Sequence, residues 1–340
     1  PKKAPFDMYY ADYRPGVKLY VKRVFITDDE KELMPSYLRF LRGIIDSEDL
    51  PLNISREMLQ QNKVLTNIRS ASVKKVLGEF RRIAIEEPEK YRDFITEYNR
   101  PLKEGLYSDF TNRDTLLELI RFKSTKVDGY TSLEEYTSRM LPDQKGIYYV
   151  TGGDESTLRN SPLLEAYREK DLEVLVMDDE IDEIVIPTIG NYKDHELKAV
   201  NRKEAGEDLK KEKDKKKENE IKPVVEKVKK ALGDKVKDVV SSVRLSDSPS
   251  CIVSDGADPS MKMQSLLKAM GQVDIPEIKP ILEINPDHEL VQRLKDTDDS
   301  ELIEDMSYIL YEQALLVEGA ELKEPADFVK RLNRLLQWSG

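Results

Sequence analysis

Apolar residues recur along this 340-residue chain with two periods, and the changes of period mark out its elements. Val17 to Ile26 alternates and is rich in β-branched residues, which predicts a strand, whereas Met34 to Ile45 places apolar residues at helical intervals. Val64, Leu65, Ile68, Val76, Leu77, Phe80 and Ile83 then recur on one face of a long helix that Pro88 interrupts. Tyr91, Phe94, Ile95 and Tyr98 predict another helix, ending before Pro101, and Leu116 to Phe122 a further one. From Ser132 the pattern restarts as helix to Met140, strand Gly146 to Thr151, helix Leu163 to Lys170, strand Leu172 to Met177 and an apolar run Ile181 to Ile186. Such alternation predicts a small, partly parallel α/β module.

Between Asn201 and Glu220 apolar residues almost vanish, and Lys211 to Glu218 alternates blocks of opposite charge, as expected of a hinge or a solvated helix. A helix from Ile221 to Leu232 stopped by Gly233 follows, then strands within Val236 to Leu245 and Ser250 to Val253. Leu302, Ile303, Met306, Ile309, Leu310, Leu316 and Val317 form a wide stripe behind an acidic helix start and stop near Gly319. Pro325 opens a last helix carrying Phe328, Val329, Leu332, Leu335 and Leu336. The fold class is therefore α/β to α+β and multidomain. An α/β part with a helical connector (1–115) and the small α/β module (116–202) make one domain, a charged hinge (203–220) follows, and an α+β domain ending in a helical hairpin (221–340) completes the chain.

The turn that the apolar pattern does not need is Pro51-Leu52-Asn53-Ile54-Ser55-Arg56-Glu57-Met58-Leu59-Gln60-Gln61-Asn62-Lys63. Pro51 restricts entry, Ser55 suits a helix cap, and Arg56 would sit just inside a helix start, where a guanidinium opposes the positive end of the dipole. That placement suits an anionic ligand, with Gln60 and Asn53 close in sequence; a surface pair with Glu57 or Asp49 is the plainer alternative. The approach to the loop reads Leu19-Tyr20-Val21-Lys22-Arg23-Val24-Phe25-Ile26, Leu33-Met34-Pro35-Ser36-Tyr37-Leu38-Arg39-Phe40 and Gly43-Ile44-Ile45-Asp46-Ser47-Glu48-Asp49-Leu50. These stretches closely resemble the middle domain of the heat shock protein 90 chaperones. Ser248-Pro249-Ser250-Cys251-Ile252-Val253 and Ile284-Asn285-Pro286-Asp287-His288 extend the resemblance into the carboxy-terminal domain, so that it covers essentially the whole chain.

The resemblance implies that Arg56 reaches the γ-phosphate of ATP held in an amino-terminal domain, with Gln60 assisting and Asn53 as the polar residue of the same loop. ATP and magnesium would belong to the full-length ATPase, and the chain by itself, read as its middle and carboxy-terminal parts, would not be an enzyme. The resemblance further implies a homodimeric clamp for unfolded or partly folded client proteins, working with the heat shock protein 70 system. Met261, Met263, Leu266, Leu267 and Met270 match the client-binding helix, although by spacing alone a core face is the favoured reading. Ile303, Met306, Ile309, Leu310, Leu316, Phe328, Leu332 and Leu335 would form the dimer interface, two hairpins making a four-helix bundle. The last residues, Gln337 to Gly340, carry no Met-Glu-Glu-Val-Asp tail, which points to a bacterial or organellar type. A non-enzymatic dimeric protein-binding scaffold is the alternative.

Composition narrows the function classes. A net charge of −11 with 36% charged residues and interleaved signs in the lysine-rich stretch argues against nucleic-acid binding. No apolar run approaches the roughly 20 residues of a membrane span, and no signal-peptide pattern opens the chain. One cysteine, Cys251, fits a reducing compartment, and a cytoplasmic location is expected. His195 and His288 read as surface or capping residues, the acids from Asp178 to Glu183 lack a calcium-loop pattern, and no metal site is expected. Gly152-Gly153 lacks the further glycines of a nucleotide loop and reads as a strand-to-helix turn.

Overall fold

A computed structural model describes residues 1–28, 33–50, 62–256, 258–269, 271 and 278–338. The chain forms two compact units, Pro1–Phe122 with Tyr130–Glu135, and Lys123–Gly129 with Tyr136–Gly340. Mixed helix and strand run through both, and each of the three sheets combines parallel and antiparallel pairs.

In the first unit, β1 (Gly16–Val21) is central in a sheet ordered β2-β1-β3, with β2 spanning Val24–Thr27 and β3 spanning Arg42–Ser47. The single strand expected over Val17 to Ile26 is a hairpin. Lys22 and Arg23 both take positive φ, +50° and +67°, as a tight two-residue turn demands, at about 1–2 kcal/mol each for side chains with a Cβ. The helical spacing of Met34 to Ile45 was also misleading. Pro35 opens only a short turn over Ser36–Leu38, and the chain then pairs in parallel with β1 as β3. Tyr37, Leu38 and Phe40 are buried there by packing against helices far along the chain, which local periodicity does not encode.

Those helices are α1 (Lys63–Glu86), α2 (Pro88–Ser108) and α3 (Arg113–Leu119). Helix α2 runs straight through Pro101 rather than stopping before it. An internal proline costs about 3 kcal/mol, but continuing the helix buries Leu102 and Leu106 completely. Phe40 stacks on Tyr98 at 4.2 Å and Phe80 meets Phe94 at 4.6 Å, so one aromatic cluster joins the sheet end to both long helices. Gly105 is required by closeness: a Cβ there would come within 2.8 Å of Leu116 and 3.0 Å of Tyr37.

The second unit starts with β4 (Lys123–Ser124), and α4 (Leu133–Arg139) runs into it. Next come β5 (Ile147–Val150), α5 (Glu155–Arg159), α6 (Glu165–Glu169), β6 (Val174–Val176) and α7 (Asp182–Val185). Strands β7 (Asn191–Tyr192) and β8 (His195–Ala199), which the sequence pattern did not reveal, complete a sheet ordered β4-β6-β5-β8-β7. The apolar pattern is silent there because β8 carries His, Glu and Lys on a half-exposed strand. After the short α8 (Lys203–Glu207), α9 spans Glu212–Leu232, so the charged stretch is largely the first half of a helix expected to begin at Ile221. Ile221, Val224, Val228 and Leu232 bury one stripe of it, and Gly233 ends it with φ +52°.

Strands β9 (Asp238–Ser241), β10 (Ser250–Val253) and β11 (Ile281–Ile284) form a sheet ordered β10-β11-β9; β11 was not foreseen as a strand. Helix α10 (Met261–Ala269) lies between β10 and β11 in sequence, and α11 (Glu289–Asp296), α12 (Ser300–Val317) and α13 (Pro325–Trp338) close the chain. One core takes in Tyr148, Val150, Tyr167 and Val200 of the five-stranded module together with Cys251, Val253 and Ile281 of the second sheet. At this junction Arg244 is fully buried. Its Nε donates to Glu283 at 2.9 Å, and its terminal nitrogens donate to the carbonyls of Val200 and Arg202. Gly206 must lack a side chain, because a Cβ would meet that guanidinium at 2.5 Å.

Candidate functional site

Asn53, Arg56 and Gln60, with Ser55, lie outside the described residues, and what is on view is the chain that flanks them. Leu50 is 1% exposed at the near end. At the far end Asn62 caps α1, its Oδ1 accepting the N–H groups of Val64 (2.8 Å) and Leu65 (3.4 Å), and Leu65 is buried. The described chain on either side of residues 51–61 is thus held by buried Leu50 and Leu65.

Ser260 immediately precedes α10; its Oγ accepts the N–H of Met263 (3.0 Å) and donates to Glu183 Oε2 on α7 (2.7 Å). Met261, Met263, Leu266 and Leu267 are all half-buried, Met261 touching the core beneath; Met270 lies outside the described residues. The four described candidates therefore share one short helix, and each keeps part of its apolar side chain open to solvent.

Helix α12 is capped by Asp299, which accepts from Glu301 and Leu302, and ends before Gly319 at φ +74°. Met306, Ile309 and Leu310 are buried, and Met306 and Leu310 pack with Val224, Val228, Leu282 and Ile284 of the chain's own core. Ile303 and Leu335 are half-buried against that core, and Phe328 is half-buried. Leu316 and Leu332 are exposed, as are Val317, Val329 and Leu336, the last 63% exposed.

Polar contacts that the sequence pattern did not flag explain this division. Helix α13 docks on α12 through its charged side: Arg334 Nε donates to Asp305 at 2.6 Å, and Arg331 donates to both oxygens of Glu312 at 3.0 and 3.1 Å while lying 4.1 Å over the Tyr308 ring. Asp305 and Glu312 stand seven residues apart on α12 and Arg331 and Arg334 three apart on α13, a complementary spacing that could have been noticed in the sequence. Val329, Leu332 and Leu336 of α13 are left facing outward. Beside them a groove of about 660 Å³ is lined by Leu290, Leu302, Met306, Ile309, Leu332 and Leu335 among others.

His288 caps α11, its Nδ1 accepting from Leu290 N–H at 3.2 Å. Gly152 takes φ +107° in the turn from β5 into α5, whose N-terminus is capped by Asp154. Burial pushes the Cys251 thiol well up, reinforced by the charge of Glu283. Among the described residues no group of three or more His, Cys, Asp or Glu could hold a metal ion, and no helix is long and apolar enough to cross a membrane.

Comparison with known proteins agrees with the residue patterns. The profile of the Hsp90 protein family matches residues 1–339. The chain is 63% identical to the chaperone protein HtpG of Treponema denticola and 57% identical to that of Treponema pallidum, in each case over 99% of this chain and 54% of the relative. It is 54% identical to HtpG of Aliarcobacter butzleri, over 98% of this chain and 53% of the relative. It therefore spans about half the length of these relatives. A match over nearly every residue, joined to the arginine-loop wording and the terminal helical hairpin, makes this chain a member of the Hsp90 family.

Proposed function

We propose that the chain forms the middle and carboxy-terminal parts of a cytoplasmic, ATP-dependent chaperone that works as a homodimeric clamp on unfolded or partly folded proteins. The observation that carries this reading is the terminal hairpin. A helix that spends its arginines on its own domain and turns Val329, Leu332 and Leu336 to solvent needs another apolar surface, and a symmetric copy supplies one. The bundle would bring two copies together and leave α10 of each available to clients.

Arg56 then serves a nucleotide held by a part of the protein outside these residues. A guanidinium aimed at the terminal phosphate stabilises the charge that develops as the phosphoryl group leaves, and Gln60 and Asn53 help to orient it. ATP and magnesium would be bound elsewhere, so the chain alone is not expected to turn ATP over. In full-length protein, Arg56→Ala should lower ATP turnover about a hundredfold or more while ATP affinity and dimerisation hold. Steady-state phosphate release with equilibrium ATP binding tests this; wild-type turnover in the variant would overturn the role given to Arg56.

A further inference from the structure

Along α10 the buried side chain is a polar one. Gln264 is 8% exposed, whereas Met261, Met263, Leu266 and Leu267 are only half-buried. An amphipathic helix ordinarily puts an apolar residue at the inward position. Here the Gln264 amide oxygen instead accepts the N–H of Ile278, in the lead-in to β11, at 3.4 Å, longer than a well-formed hydrogen bond. The start of the helix is attached through a second polar contact, Ser260 to Glu183 at 2.7 Å. Met261 and Leu267, three residues either side of Gln264, project about 60° from it, and Leu266 lies on the far side of the helix. An apolar residue at 264 would seat the helix more deeply and draw Met261 and Leu267 under cover; a glutamine does not reward that movement.

We propose that Gln264 is a positioning residue for client binding: a polar side chain at the inward position keeps α10 shallowly seated and so holds its methionines and leucines at the surface for an apolar stretch of unfolded polypeptide. This rests on the reading of α10 as a client surface. The cost of the arrangement is a weakly anchored helix. Its return is apolar area that the chain's own core does not consume.

The experiment uses full-length protein carrying Gln264→Leu, with Gln264→Met as a second variant of similar length, and Leu266→Gln as a control on the surface itself. The probe is reduced, carboxymethylated α-lactalbumin, which stays unfolded, its affinity read by fluorescence anisotropy, with hydrogen exchange of the α10 amides measured in parallel. Gln264→Leu or Gln264→Met should slow exchange in α10 about tenfold and weaken probe binding several-fold with dimerisation unchanged. Unchanged exchange or unchanged binding in both variants, with Leu266→Gln still weakening the probe, overturns the role of Gln264 and leaves the client surface standing. If Leu266→Gln also binds as wild type, the client reading of α10 falls with it.

Discussion

At the carboxyl end of α12 the Glu318 side chain is half-buried near the charge of Glu183, and loss of hydration first, then that charge, pushes its pKa up to about 7. The folded state therefore keeps a proton that an unfolded chain would release near the ordinary carboxylate value of 4.5. Stability from this group is fully present below that value, falls as pH rises through about 7, and changes no further above it. Denaturant midpoints measured from about pH 5 to about pH 8 should decline across this window, and Glu318→Gln should flatten the decline. A variant with the wild-type slope would show that Glu318 titrates normally. Nothing in the sequence marked this residue, because its neighbour Glu183 stands more than a hundred positions away. Arg244 shows the same limit: it reads as one more charged residue, yet it is wholly enclosed by Glu283 and by carbonyls at the end of β8. By contrast, Arg56 stands out in the sequence because an arginine beside a proline-led stretch breaks the apolar pattern around it, and it lies outside the described residues.

Elements defined by a local period were legible, and those defined by their partners were not. The α12–α13 hairpin follows from two wide apolar stripes, an acidic start, Gly319 and Pro325, all within 40 residues or so of chain. Strand β11 did not announce itself, since its four residues are a short buried run between Pro280 and Pro286 with no alternation to mark a strand. Pro101 misled because helix-ending propensity was outweighed by the side chains that α2 buries beyond it. For the hairpin, Leu332→Asp puts a charge on the outward face of α13 and leaves the Arg331 and Arg334 contacts in place. Sedimentation equilibrium should show its dimer dissociation constant raised about a hundredfold or more, with an unchanged circular dichroism spectrum. Wild-type association would move the interface away from this face.

For the whole molecule, the relation between hydrolysis and assembly can be separated. The 340-residue chain should dimerise yet release no phosphate from ATP above a protein-free blank, while full-length protein does so in an Arg56-dependent way. Turnover by the chain alone would require a nucleotide site within these residues. The sequence by itself determined the family, the mixed α/β class and the helices with strong caps and stripes, because motif wording, capping and helical period are properties of neighbours along the chain. Only the tertiary structure decided which side of each stripe is used. Met306 and Leu310 go to the chain's own core, Leu332 and Leu336 remain outside, and Gln264 rather than a methionine faces inward. Burial depends on what packs against a side chain in space, and here those partners come from β9, β10, β11 and α9, far away in sequence.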